Sequence, residues 1–277
     1  MARLRRRIAA ALVLPALFWF FWFENSVIVS ETYEAELSSL PEAFDGFRLA
    51  LVSDTQGKLF GRDNGRLFDA VAAAEPDAIA VCGDMIEDAA DVAACASLLG
   101  RLTAVAPVYY VTGNHEWASG AARALMAALE QAGAAVLGND YRVLRRGGEK
   151  IIIAGVHDPN GPYDMERPEQ LIARIREAEG DAPIVLLAHR NDGLSTWAAL
   201  GVDLVLCGHG HGGVVRLPAV GGLLGADRSL LPKYSAGLYR QGAAQMVVSR
   251  GLGPAGGLPR LFNRPDVPVV VLRAGKA

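Results

Sequence analysis

The sequence predicts an α/β protein whose sheet is covered by helices on both faces. Three observations carry this. Short, nearly continuous apolar runs such as Ala78–Cys82 and Leu204–Cys207 alternate with segments of helical periodicity. All 5 histidines, together with Asp54 and Asp84, stand just after such runs. The 277 residues are 51% hydrophobic and 21% charged, with a net charge of −3, enough to fill a core and too apolar for disorder. The charge balance leaves no basic excess, so no nucleic-acid partner is expected. The 3 cysteines are too few for a disulfide scaffold, and Cys82 and Cys207 sit inside apolar runs as small hydrophobes.

The N-terminus reads differently from the rest. Arg3, Arg5, Arg6 and Arg7 precede residues 8–23, a stretch of 16 without charge that ends in Phe18-Trp19-Phe20-Phe21-Trp22-Phe23. A spanning helix needs about 20 apolar residues, with a lower limit of about 17, and a signal-peptide core has about 7–15. The aromatic end suits a membrane interface, and no A-x-A cleavage site follows. The reading is an uncleaved signal anchor, with a cleaved signal peptide as the alternative. Glu24, Glu31, Glu34 and Glu36 follow the segment. That asymmetry places the N-terminus inside and the main domain on the outer (periplasmic or extracellular) side of the cell membrane. The expected organisation is a signal anchor or signal peptide over 1–23, a lead-in over 24–46 and one domain over 47–277, without internal repeats.

The elements follow in order. Residues 26–37 alternate loosely and read as a first strand. Residues 47–53 form an apolar run with β-branched and aromatic members, and 65–74 read as a helix. Residues 78–82 and 108–112 are strands, with a helix over 92–102 between them. Residues 121–132 carry Leu125 and Leu129 at i, i+4 spacing and end at Gly133, the signature of a helix and its stop. Further strands are expected at 151–156, 184–188 and 204–207, with a helix over 168–179. Arg142, Arg145, Arg146 and Lys150 mark a solvated hairpin. From Gly212 the chain is rich in Gly and Pro, and 245–249 and 267–272 read as antiparallel strands.

The chemistry gathers where the runs end. His115, His157, His189, His209 and His211 all occupy such places. The crevice outside the carboxyl ends of strands is where open α/β sheets bind ligands. One histidine there is commonly structural, but five joined by two carboxylates form a ligand set suited to Zn, Mn or Fe. Asp54-Thr55-Gln56 and His209-Gly210-His211 are i, i+2 pairs, which converge on one side of an extended chain. Glycines precede Asp84, Asn114 and His209 and permit sharp turns.

In this order the motifs resemble the calcineurin-like metallophosphoesterases, whose pattern is D-x-H, G-D, G-N-H-[DE], H and G-H-x-H. Here they read Asp54-Thr55-Gln56, Gly83-Asp84, Gly113-Asn114-His115-Glu116, His189 and Gly208-His209-Gly210-His211. The membrane-linked bacterial branch is the most similar, through Phe44-Asp45-Gly46, Phe60-Gly61-Arg62-Asp63-Asn64, Gly237-Leu238-Tyr239, residues 248–253 and residues 260–265. The resemblance implies a four-layer α/β/β/α sandwich with two divalent ions (Mn, Zn or Fe) at the strand ends. It implies that Asp54 and His211 hold the first ion and that Asp84 bridges both. Asn114, His189 and His209 would hold the second. His115 would act on the leaving oxygen without binding metal.

One position departs from the pattern. Gln56 stands where the family has a metal-binding histidine. An amide oxygen is a weaker, harder donor than imidazole, which leaves the first ion weakly held, biased to Mn over Zn, or absent. His157 reads as a loop histidine exposed to solvent, or alternatively as a substrate contact. Asn64 and Arg250 are further substrate-binding candidates. Arg228, Lys233 and Arg240 are cations near the site of the kind that most often only solubilise. Glu87 and Asp88 read as supports or surface groups rather than ligands.

The resemblance implies a hydrolase of phosphodiesters or pyrophosphates, with a nucleotide-linked lipid among the candidate substrates. The alternative is a catalytically weak member that serves as a metal-dependent binding or sensing module. Only Gln56 favours the alternative, and His115 has no use in a module without catalysis.

Overall fold

The computed structural model describes residues 2–162, 165–254 and 257–275, with side chains from residue 13 onward. The chain opens with helix α1 (Ala2–Ser26), followed by strands β1 (Thr32–Leu37) and β2 (Arg48–Val52). Helix α2 (Gly65–Ala72), β3 (Ala78–Cys82), α3 (Val92–Leu102) and β4 (Val108–Val111) come next. They lead through α4 (Asn114–Ala118) and α5 (Ala122–Gln131) to β5 (Ala135–Val136). The hairpin β6 (Asp140–Arg146) and β7 (Glu149–Gly155) precedes α6 (Pro168–Glu179), β8 (Ile184–Leu187), α7 (Leu194–Ala199) and β9 (Leu204–Cys207). The tail carries β10 (Arg216–Leu217), β11 (Gly221–Gly222), β12 (Gly237–Gln241), β13 (Ala244–Val248) and β14 (Val269–Ala274).

Two six-stranded sheets result, in the orders β1-β14-β2-β3-β4-β5 and β12-β13-β9-β8-β7-β6. Alternation along each strand explains the layering. On β2, Leu49 and Leu51 point between the sheets, where they join Val185, Leu187, Leu204 and Leu206 of the other sheet. Ala50 and Val52 point outward beneath α2, α3 and α5. Ile152, Leu186 and Val205 face outward beneath α6 and α7. Every central strand is thus apolar on both sides, one against helices and one against the opposite sheet, which is why its sequence reads as an unbroken run. The expected single covered sheet is two sheets back to back, the four-layer arrangement that the resemblance implied.

The tail differs from the expectation of antiparallel strands alone. β13 is antiparallel to β12 but parallel to β9. β14 is antiparallel to β2 and parallel to β1. The lead-in therefore contributes a strand to the first sheet. The basic residues at 142–150 do lie on a hairpin, with Arg145 opposite Lys150.

The N-terminal segment is helical through Ser26 and contains Pro15. No helix among the described residues is long and apolar enough to cross a membrane, so the structure does not support the signal anchor expected over residues 8–23. The side chains of Arg3, Arg5, Arg6 and Arg7 lie outside the described residues. The C-terminal end of α1 is docked on the domain. Buried Glu24 accepts the backbone N–H of Asn263, and the Asn25 amide both accepts from the N–H and donates to the carbonyl of Arg260. Phe20 meets Phe262 edge-on at 5.9 Å, and the Arg264 guanidinium lies 5.1 Å from the Phe23 ring centre.

Candidate active site

The carboxyl ends of β2, β3, β4, β8 and β9 meet at one edge of the sandwich and deliver Asp54, Asp84, Asn114, His115, His189, His209 and His211 together. The strands stop abruptly there. Asp54, Gln56, Asp84, His209 and His211 all have positive φ, between 44° and 64°. Such a backbone costs a non-glycine residue of order 1 kcal/mol, and it persists where the surroundings fix it. Two glycines allow the close approach. A Cβ on Gly113 would strike the Asp84 carboxylate, and one on Gly208 would strike that of Asp54.

His189 lies at the centre of one group. Its Nε2 is 3.1 Å from Asp84 Oδ2, 3.1 Å from Asn114 Oδ1 and 3.1 Å from His209 Nδ1. Donors about 2.1 Å from a shared ion stand about 3.0–3.4 Å apart, so these separations match a coordination shell. Among the described residues, only Asp84, His189 and His209 bring three His, Cys, Asp or Glu ligand atoms within 4.8 Å of one another. His189 Nδ1 donates to the Cys82 carbonyl at 2.8 Å, which leaves the Nε2 lone pair facing the group. Burial opposes charge on His189, but the Asp84 carboxylate and then Asp54 outweigh it and lift the imidazole to about 10. Asp84 is pulled low despite its burial, chiefly by the charge of His189. The group is therefore a collecting point for positive charge, which a dication can take over from the proton.

The other side of the site is built differently. Asp54 is buried, and its two oxygens accept the His209 backbone N–H at 3.0 and 3.1 Å. Burial raises its carboxyl to about 6. His211 Nε2 lies 3.6 Å from Asp54 Oδ1 and 3.1 Å from the Gln56 amide. His211 Nδ1 faces Arg260 Nη2 at 3.4 Å. Burial, then the Arg260 charge, hold the His211 ring well below the usual histidine range.

His115 stands beside the group at the open cleft. Its backbone N–H donates to Asp84 Oδ1 at 2.8 Å, and its Nδ1 contacts Glu87 Oε2 at 2.9 Å. Its Nε2 is 3.8 Å from Asp84 Oδ2 and 3.5 Å from the Gln56 amide. The cleft holds about 620 Å³ and is lined by Gln56, Asp84, Glu87, Asn114, His115, His209 and His211. Val214, Leu224, Arg228 and Leu258 form its rim.

The three expected substrate contacts are elsewhere. Asn64 is buried, with its Oδ1 accepting the Phe60 N–H. Arg250 pairs with Glu31 and donates its backbone N–H to Asp266. His157 is neither in the cleft nor exposed. Its Nδ1 is 2.9 Å from Thr112 Oγ1, its ring meets Trp117 edge-on, and burial lowers it to about 4.

Sequence reasoning missed two supporting residues. Glu116 is fully buried and accepts the N–H groups of Asp84, Met85 and Gly113. Its place in the G-N-H-E motif was its only signal. Arg260, fully buried beneath His211, stood in the 260–265 motif that carries the resemblance but was given no role. Glu87, read as a support or surface group, orients His115.

A family model described as calcineurin-like phosphoesterase matches residues 47–213. "Uncharacterized metallophosphoesterase YkuE" of Bacillus subtilis (strain 168) is 26% identical over 262 residues, covering 91% of this chain and 88% of that protein. "Phosphodiesterase YaeI" of Escherichia coli (strain K12) is 29% identical over 202 residues, covering 72% of this chain and 71% of that protein. Among solved structures, phosphopantetheinyl hydrolase from Mycobacterium tuberculosis superimposes with a TM-score of 0.51 at 14% identity, covering 76% of this chain and 91% of that one. That last likeness concerns the fold alone.

Proposed function

We propose that this chain, which belongs to the calcineurin-like phosphoesterase family and is a phosphoric ester hydrolase, cleaves phosphodiester or pyrophosphate bonds in a lipid-linked substrate at a membrane surface. The hydrolytic reading rests on one observation: Asp84, Asn114, His189 and His209 converge with metal-shell spacing beside an open cleft. A divalent ion at that point supplies an acidified water and polarises a phosphoryl oxygen. The mixed N/O donors suit Mn, Zn or Fe.

The chain's own residues do the rest. His115 donates Nδ1–H to Glu87, which turns Nε2 toward the cleft. A protonated ring can then give a hydrogen bond or a proton to the leaving oxygen. Asp84 turns one oxygen to the His189 group and the other to the His115 backbone, so one carboxylate sets the distance between the ligand cluster and the acid. Arg228 on the rim offers charge to a substrate phosphate.

The lipid reading is supported by the surface. Every large apolar side chain exposed among the described residues lies on α1, at Leu217 at the end of β10, or on loops at Leu59, Val220, Leu230, Leu231, Leu258 and Phe262. Leu258 lines the cleft, Leu224 on the rim is paired with Leu230, and Phe262 touches Phe20 of α1. Apolar side chains thus stand exposed both beside the helix and at the cleft mouth, which favours a helix that lies in a membrane interface without crossing it.

The test is hydrolysis of bis-p-nitrophenyl phosphate by the purified chain with Mn²⁺, Zn²⁺ or Fe²⁺, before and after chelation. Turnover that chelation removes and metal restores is the expected result. No turnover with any ion, on this diester or on the monoester, would overturn it, and the binding-module reading would stand instead.

A further inference from the structure

We propose that this site holds one metal ion, because His211 turns an N–H group rather than a lone pair toward the place of a second. The inference rests on the hydrolytic reading above. The two halves of the site differ in which ring nitrogen is committed behind it. Behind His189 is a carbonyl, which can only accept, so Nδ1 carries the proton and Nε2 is free to ligate. Behind His211 is the Arg260 guanidinium, which can only donate. His211 Nδ1 must therefore supply the lone pair. A neutral imidazole that accepts at Nδ1 carries its hydrogen on Nε2, the nitrogen facing the cleft. That nitrogen has no lone pair left for a metal.

The neighbours agree with this tautomer. The Gln56 amide is 3.1 Å from His211 Nε2. Two N–H groups cannot face each other there, so the amide turns its oxygen to His211, and its two ends are interchangeable in shape. Gln56 is then occupied as an acceptor. Asp54 accepts the His209 N–H with both oxygens, which leaves a single carboxylate on this side for an ion.

Charge points the same way. Arg260 is fully buried and has no carboxylate within 4.0 Å among the described residues. Its other N–H groups reach the carbonyls of Gly253 at 2.8 Å, Arg250 at 2.7 Å and Asn263 at 3.4 Å. A fixed positive charge, offset in part by Asp266 and Asp54 but paired directly with neither, thus lies behind the position where the second dication would sit. It opposes that ion.

The experiment is a titration of the metal-free full chain with Mn²⁺, followed by calorimetry and electron paramagnetic resonance. The expected result is one ion per chain with the six-line spectrum of an isolated Mn²⁺. His211→Gln should keep that ion, whereas His189→Gln should lose it. Two ions per chain with an exchange-coupled spectrum, or loss of the ion in His211→Gln with the fold retained by circular dichroism, would overturn the inference and leave the hydrolytic reading intact. No bound ion in the unaltered chain would overturn both. Arg260→Leu provides a second check: freeing the His211 tautomer should raise the stoichiometry toward two when combined with Gln56→His. A stoichiometry fixed at one in that folded double variant would also overturn the role given to Arg260.

Discussion

The Glu116 carboxylate accepts the backbone N–H of Asp84 at 2.9 Å, although the two residues stand on different strand ends. The same side chain takes the N–H groups of Gly113 at 2.7 Å and Met85 at 2.6 Å. It ties the G-D loop to the G-N-H-E loop and thereby sets the angle at which Asp84 faces His189. Glu116→Ala would leave three buried donors without partners, at about 1–3 kcal/mol each. We expect a loss of at least about 3 kcal/mol in denaturant unfolding, with weaker metal binding in calorimetry. A variant as stable as the parent would show that these loops do not depend on Glu116.

His115 touches the cleft and Asp84 but lies outside the group of donors around His189. His115→Ala should lower turnover on a diester by about 10²–10⁴-fold, with metal content near that of the parent by elemental analysis. Loss of the metal instead would make it a ligand. Glu87→Gln should have a smaller effect in the same direction, because it removes the charge beside Nδ1 but keeps an oxygen that can accept from it.

His157 gives a pH signature in stability. Its folded value is lowered from 6.5 to about 4 by burial. Above pH 6.5 the ring is neutral in both states and its contribution is complete. Between 6.5 and about 4 the unfolded chain takes up a proton that the native chain refuses, so stability falls as pH falls. The slope is at most about 1.4 kcal/mol per pH unit. His157→Gln should lose less stability than the parent between pH 7 and pH 5, by about 4 °C in melting temperature. Identical pH profiles would show that the native ring protonates normally.

The exposed apolar side chains predict reversible association with lipid. Leu230 and Leu231 are 80% and 60% exposed, so replacing them with serine should leave the melting temperature within about 1 °C. The Leu230→Ser/Leu231→Ser variant should co-sediment several-fold less with phosphatidylglycerol vesicles than the parent. Equal sedimentation would remove these loops from the membrane surface.

Much of this was legible in the sequence. An apolar run of four or five residues can be buried on both faces only in a central strand, so its next residue falls at the carboxyl edge. That rule placed Asp54, Asp84, His115, His189, His209 and His211 at one rim before any contact was known; it placed His157 there too, whose ring turns instead to Thr112, and Asn114 entered through the resemblance. The hairpin at 142–150 and the helix Pro168–Glu179 were equally local, marked by charge and by a helix-starting proline. The tail was less legible. Its strands β12, β13 and β14 earn their places by pairing with distant partners, and a strand's direction relative to its neighbour leaves no trace in its own residues.

The sequence by itself determined the fold class and the donor set, because both follow from periodicity and from short motifs whose members are close along the chain. The tertiary structure decided how those donors are used. Asn64, His157 and Arg250 leave the site because each has nearer partners than the cleft. Arg260 enters it from 49 residues beyond His211 and faces Nδ1, where a carbonyl faces the same atom of His189. Two histidines alike in sequence context thus present a lone pair and an N–H, because hydrogen-bond direction is set by what folds behind the ring.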